Sequence, residues 1–298
     1  MTIAVIGSIF VDIKGYPSDI YISQGRNAGR VEQVHGGVGR NVAADISGMG
    51  FDTVFISLVD YSGMGEDVIR KLNDCSICTE YIARVNDGMG TWLAVFDHNG
   101  DVVGSISKRP DMSYLTRILE ESGDSIFKAA DSIVLQLDME LSTVEKTLSL
   151  AEIYGKDVYA VISNMSIVME RKDYLKSLSC VVCNIQEAEM LFSEEYSTYS
   201  IEEMITEVRH KAHEHGLRRL VITMGGEGAV YCDIDGTSGF CPAKKVQVVD
   251  TTGAGDAFLA GVAAGLTTGK NLADACKTGS CLAAAVIGTS ENICQGVI

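Results

Sequence analysis

The chain predicts an α/β fold: a central, mostly parallel sheet flanked by helices on both sides, with a small β-sheet set apart from it. Three observations lead there. Apolar runs of strand length alternate with helical patterns along most of the 298 residues, the order that builds parallel sheets. Several runs are apolar at successive positions, which requires cover on both faces. Two further segments break the alternation and read as a separate β-ribbon.

In order, Thr2–Ile6 reads as a first buried strand. Residues 12–35 are strand- and loop-like, punctuated by Gly15, Pro17, Gly25 and Gly29. Asn41–Met49 carries a helical pattern, Thr53–Val59 a strand and Glu66–Leu72 a helix. Thr91–Phe96 and Val102–Ser107 flank Asp97-His98-Asn99-Gly100-Asp101, where Asn-Gly signals a hairpin turn. Strands Ser132–Leu137, Val158–Ile162, Cys180–Cys183 and Leu220–Thr223 follow, with helices Thr143–Tyr154 and Glu202–His215 among them. Val246–Val249 reads as a short strand before a helix carrying Phe258, Val262 and Leu266 on one face, and Ala273–Ile287 closes the pattern. The expected organisation is a core of residues 1–11, 36–90 and 109–298 carrying a small sheet of residues 12–35 and 91–108. That sheet is either a surface ribbon or a lid that keeps water from a site beneath it.

Composition removes some functions. A net charge of −16 argues against a broad basic face for nucleic acid, which needs clustered Lys and Arg. No run of ~18 apolar residues suggests a membrane span, and Met1–Gly7 is too short for a signal peptide. A cytoplasmic protein is expected. Nine cysteines include Cys75-x-x-Cys78 and Cys180-x-x-Cys183, too far apart for a compact zinc ribbon. Cys180 and Cys183 should also point to opposite faces of a strand, so buried, reduced thiols are expected.

The string Asp250-Thr251-Thr252-Gly253-Ala254-Gly255-Asp256-Ala257-Phe258 is the most informative. Gly253 and Gly255 allow a tight turn and leave backbone N–H groups uncovered at a helix N-terminus, which attracts anions. A carboxylate there repels an anion, unless Asp256 takes the proton from a hydroxyl that attacks a phosphate. The plainer reading is a cap and a turn. In His35-Gly36-Gly37-Val38-Gly39-Arg40-Asn41-Val42-Ala43, bare backbone would admit a polyhydroxylated ligand, and Asn41 offers donor and acceptor to vicinal hydroxyls. A glycine turn capped by Asn41 is again the plainer reading. Gly265–Asn271 falls one residue short of a phosphate-binding P-loop, and no G-x-G-x-x-G follows the first strand. His210, His213 and His215 fit a solvated helix face better than a metal site.

The Asp250–Phe258 string resembles the C-terminal signature of the pfkB, or ribokinase-like, carbohydrate kinases, and the resemblance covers essentially the whole chain. It implies a ribokinase-like fold and an ATP-dependent kinase. The amides of Gly253, Ala254 and Gly255 would form the anion hole, with Asp256 as catalytic base. Gly36, Gly37, Gly39 and Asn41 match the family's N-terminal glycine signature and imply the substrate site. Asp12, at the end of the first strand, matches an aspartate that binds substrate hydroxyls, and Asp138 a second substrate-side acid. Asn184 and Glu187 match the N-x-x-E motif that organises Mg²⁺ and phosphate; Mg²⁺ keeps several waters, so contact through water is expected. Thr223, Gly225 and Gly228 resemble the nucleotide-side T-x-G-x-x-G turn, and Thr252 with Asn184 is assigned to the same side. The resemblance further implies that the small sheet is a lid joining two subunits in a homodimer. Partners are then ATP and a nucleoside or sugar, with a monovalent cation such as K⁺ as an optional cofactor.

Within the family, no P-G-E-T-like segment occurs. Gly25-Arg26-Asn27-Ala28-Gly29-Arg30-Val31 and then Gly36–Ala43 resemble pseudouridine kinases, whose counterparts resemble S-N-P-G-K-I and G-G-V-G-R-N-I-A. Val11–Gly15 and Asp111-Met112 resemble that subgroup too. Asn27-Ala28 replaces the usual Asn-Pro, and Ile162-Ser163-Asn164-Met165-Ser166 replaces Asp-Pro-Val-Ser. The resemblance implies transfer to the 5′-hydroxyl of pseudouridine. Kinases of ribose, fructose, a deoxy-sugar acid or a purine nucleoside are the alternatives, and a non-catalytic binding homologue the remoter one.

Overall fold

The computed structural model describes residues 1–98, 101–162, 164–289 and 293. The strands in chain order are β1 (Thr2–Ile6), β2 (Phe10–Pro17), β3 (Gly29–Gly36), β4 (Asp52–Val59), β5 (Ile77–Cys78), β6 (Ile82–Arg84), β7 (Gly90–Phe96), β8 (Val102–Lys108), β9 (Ser132–Gln136), β10 (Asp157–Val161), β11 (Cys180–Asn184), β12 (Leu220–Thr223), β13 (Gly228–Cys232) and β14 (Ser238–Pro242). The helices are α1 (Val38–Gly48), α2 (Gly63–Asp74), α3 (Tyr114–Ala129), α4 (Leu141–Tyr154), α5 (Met165–Val168), α6 (Ile185–Phe192), α7 (Ile201–Glu214), α8 (Ala254–Thr267) and α9 (Leu272–Ile287).

Among the described residues, ten strands make one sheet in the order β14-β13-β12-β11-β10-β9-β1-β4-β5, with β6 also on β4. It is parallel except where β13 and β14 return antiparallel at one edge. Alternate side chains feed two cores. Val181 and Cys183 join α3, α4, α6 and α7 on one face through residues such as Phe127, Val144 and Val208. Cys180 and Val182 face α1, α2, α8 and α9, with Val42, Val68 and Leu259. The Cys180–Cys183 pair is therefore split across the sheet, as its spacing predicts.

The remaining strands form a separate four-stranded sheet, β3-β2-β7-β8. The predicted ribbon segments thus pair with each other, β2 with β7 in parallel. The predicted Asn99-Gly100 turn lies outside the described residues, as does Ser163.

Helix α8 meets α9 backbone to backbone at one crossing, within a core that side chains of both helices share. A Cβ on Gly261 would lie 2.6 Å from Gly279 Cα, so both glycines are needed for this approach.

Four expectations change. Val246–Val249 is not a strand: Val248 and Val249 are more than half exposed, and the Val249 N–H donates to the Ile287 carbonyl across 2.8 Å. Its β-branched composition suited a strand, but among the described residues no strand pairs with it. Helix α1 starts at Val38, three residues early, because Gly37 turns the chain at φ 98 and serves as N-cap without a side-chain bond. Asn41 is therefore inside the first turn and does not cap. Asp12 lies within β2, not at the end of the first strand, which stops at Ile6. The long helix α3 and the β13–β14 hairpin were not anticipated.

Candidate active site

The C-terminal ends of β1, β9, β10, β11 and β12 face the N-termini of α1 and α8, and the small sheet stands over this edge. Two cavities meet there. The first, of ≈ 300 Å³, is lined by Asp12, Gly37, Val38, Asn41, Asp138, Thr252 and Asp256, with Phe10 and Trp92 from the small sheet. The second, of ≈ 220 Å³, is lined by Val38, Asn184, Glu187, Thr223, Gly255 and Asp256. Asp256 and Val38 belong to both.

The glycines around α1 are demanded by packing. A Cβ on Gly36 would collide with the Asp12 carboxylate, one on Gly37 would lie 2.7 Å from Phe10 N, and one on Gly39 2.6 Å from the Gly7 backbone. Bare backbone here brings α1 onto the β1–β2 connection, which places Asn41 and Asp12 on one cavity. Gly36 and Gly39 shape that cavity without lining it.

Asp256 sits in the first turn of α8 and accepts a 2.8 Å hydrogen bond from Asn41 Nδ2. Burial pushes its carboxyl up to about 7; the Asn41 bond opposes this, and the charges of Glu187 and Asp12 add to it. Burial likewise lifts Asp12 to about 6 against the pull of Lys14 and Arg40. Asp138 is buried and ion-paired with Arg109 at 3.2 Å.

The turn before α8 is tied down by Asp250, whose Oδ1 accepts from Thr252 N across 2.8 Å. Its Oδ2 lies 3.6 Å from Nζ of Lys14, a buried lysine on β2. Gly253 takes φ 81. Ala254 N–H is directed at the Thr251 carbonyl at 3.3 Å, so of the three predicted anion-hole amides this one is engaged within the turn. Gly255 and Asp256 lie in the first turn, where amides have no intrahelical acceptor. Gly255 is exposed, and a Cβ there would touch nothing within 4 Å. An anion can therefore approach this helix end closely.

Asn184 and Glu187 form a reciprocal capping box on α6: Asn184 Oδ1 accepts from Glu187 N at 2.9 Å, and Asn184 N donates to Glu187 Oε2 at 2.8 Å. Burial raises the Glu187 carboxyl, partly offset by the Asn184 bond. Among the described residues no group of three or more His, Cys, Asp or Glu could hold a metal ion. Two oxygen-bearing residues that share a cavity with the phosphate-attracting end of α8 nevertheless suit Mg²⁺ held through water and phosphate oxygens. Thr223 joins this cavity. Gly225 and Gly228 lie in the turn into β13, where a Cβ on Gly228 would collide with the Cys241 carbonyl oxygen; the hairpin itself demands that glycine.

Sequence reasoning did not single out Lys14, Arg40, Arg109 or Gln136. Gln136 Oε1 accepts from Ser8 N and Oγ at 2.9 and 3.0 Å on the cavity wall. Strand alternation could have found Lys14, which shares the Asp12 face of β2.

Residues 2–294 match the pfkB family carbohydrate kinase. The chain belongs to this family. Among its relatives, a guanosine-inosine kinase from Exiguobacterium acetylicum is 34% identical over 97% of this chain and 95% of its own length. The pseudouridine kinase of Escherichia coli K12 is 28% identical over 88% and 82%. The structure of Arabidopsis thaliana ribokinase complexed with ribose and ATP superposes with a TM-score of 0.82 at 21% identity, covering 97% of this chain and 93% of that one. The fold is thus ribokinase-like, and the protein is a pfkB sugar or nucleoside kinase. ATP is the phosphoryl donor the family implies, with Mg²⁺ its usual companion. No helix among the described residues is long and apolar enough to cross a membrane.

Proposed function

We propose that this kinase phosphorylates the 5′-hydroxyl of a nucleoside whose base carries a lactam edge, with pseudouridine and the 6-oxopurine nucleosides as the acceptors to try first. The observation that carries the reading is the position of Asp256, the acid shared by two cavities. The first cavity offers Asp12 and Asn41 to sugar hydroxyls and continues to Phe10, Trp92, Met112 and Met139, an apolar and aromatic end suited to a flat base. The names of the two relatives support that acceptor class.

In this reading Asp256 takes the proton of the attacking hydroxyl. A carboxyl lifted to about 7 is matched to that task near neutral pH. The α8 N-terminus stabilises charge on the transferred phosphoryl group, with the Gly253 and Gly255 amides as donors and the Ala254 amide bracing the turn. Asn184 and Glu187 would hold Mg²⁺, which neutralises phosphate charge when bound. Thr223 would border the nucleotide, with Gly225 and Gly228 in the turn that follows it, and Thr252 lines the acceptor cavity. The small sheet acts as a lid whose inner face carries Asp12, Trp92 and Ser107. Its outer face shows Val31 (72% exposed), Leu93 (41%) and Ile106 (70%), an apolar surface that fits a second copy of the chain in a lid-to-lid dimer. A monomeric mass by light scattering would remove the dimer.

An ADP-release assay with pseudouridine, guanosine, inosine, adenosine, ribose and fructose tests the acceptor. Turnover with the oxo-base nucleosides is expected. Turnover confined to free sugars overturns the nucleoside reading, and preference for adenosine overturns the lactam reading.

A further inference from the structure

Arg40 lies in the first turn of α1 and is 7% exposed. Its Nη1 donates to Asn41 Oδ1 across 3.0 Å, and Asn41 Nδ2 donates to Asp256 Oδ2 across 2.8 Å. We propose that Arg40 is a positioning residue: it locks the Asn41 amide so that only a donor can face Asp256. The proposal builds on the reading of Asp256 as the base.

The chemistry of the two groups forces the arrangement. A guanidinium carries donors and no acceptor, so the Asn41 oxygen must be the atom that meets Arg40. The amide nitrogen is then left for Asp256. That nitrogen can bond a carboxylate oxygen but cannot accept from a carboxyl O–H. A protonated Asp256 could donate to Asn41 only if the amide flipped, and the flip would set its NH₂ against the guanidinium. Losing a buried, charge-assisted bond is costly. Arg40 therefore favours the ionised base without touching it.

Several charges surround this chain of contacts. Asp12 on β2 and Glu187 on α6 face Asp256 and favour its protonation. Arg40 acts on Asp12 and on His35 of β3. His35 is pushed down to about 4 by burial and by Lys71, Arg40 and Arg70, and it contacts Asp67 of α2 at 3.1 Å. Removing Arg40 would let Asp12 keep its proton longer. That would take a negative charge away from Asp256 and lower its midpoint, opposite to the effect expected through the amide.

The test follows the Asp256 carboxyl by ¹³C NMR of aspartate-labelled full-length protein, the signal being assigned by its loss in Asp256→Asn. Wild type, Arg40→Met, Asn41→Ala and the double variant are titrated, with thermal melts to check folding. Arg40→Met should raise the Asp256 midpoint by roughly 1 unit, the size of a charge-assisted hydrogen bond. Asn41→Ala should raise it as well, and Arg40→Met should add nothing in that background. No rise in Arg40→Met, or an equal further rise on Asn41→Ala, overturns the proposal; the second result would make Arg40 a through-space charge only. Should Arg40→Met fail to fold, Arg40→Gln goes through the same cycle with the same outcomes decisive. The readout needs no turnover, so failure of the kinase assay and failure of this proposal are separate results.

Discussion

Helices α1 and α8 both begin on a glycine with positive φ and no side-chain cap, yet glycine serves different ends in the two. At α1, Gly36, Gly37 and Gly39 are pressed against Asp12, Phe10 and Gly7, and any Cβ would force the backbone apart. At α8, Gly255 is exposed and a Cβ would meet nothing. The first start is a packed joint that positions Asn41. The second is an accessible end whose bare backbone leaves room for an anion. The same letter in a motif can thus report close packing or open access, and spacing alone does not separate them.

The largest expected effect tests the second start. Asp256→Asn should lower kcat by ~10²–10⁴-fold, the usual worth of a general base, with the melting temperature kept; an unchanged kcat ends the assignment. A paired substitution comes next. Gly39→Ala should cost about 1–3 kcal/mol of stability through overpacking. Gly255→Ala should be neutral or stabilising by up to about 1 kcal/mol, since alanine is the better helix former, while lowering kcat through the methyl set beside the phosphate. Equal stability losses in denaturant melts would break the comparison.

The smallest effect is in pH. For kcat/KM the acidic limb should centre near pH 7, where Asp256 ionises. Stability should respond with the opposite sign. Asp256 and Asp12 hold protons in the fold that the unfolded chain releases at the ordinary value of 3.8. Their contribution therefore falls as pH rises from that value through about 6 and 7. Denaturant midpoints between these pH values should show a flatter slope for Asp256→Asn; an unchanged slope would place the raised carboxyl elsewhere.

Much of this was legible in the chain. Strands β1, β4 and β9 to β12 are apolar on both faces, and a parallel sheet between helices is what such runs can form. Val246–Val249 misled because composition reports that a segment could be a strand, not that a partner strand exists. The motifs put Asn41 and Asp256 near helix starts, since local spacing carries turn chemistry, whereas Asp12 sits inside β2 and not at the end of the first strand. Arg40 stands within the Gly36–Ala43 motif, but its proposed role depends on Asn41 meeting a residue 215 positions away. The capping box of Asn184 and Glu187 follows from Asn-x-x-Glu spacing alone, and was overlooked in favour of a metal role.

The glycine contact between α8 and α9 also assigns motion. With Gly261 set against Gly279, sliding or rotating α8 would separate two backbones, so under the proposed mechanism its phosphate-facing end would behave as a fixed anvil. Movement on ligand loading would then fall to the four-stranded sheet, from which Lys14 reaches Asp250. A distance probe across the Gly261–Gly279 seam should read the same value before and after loading, while one from β8 to α3 should shorten.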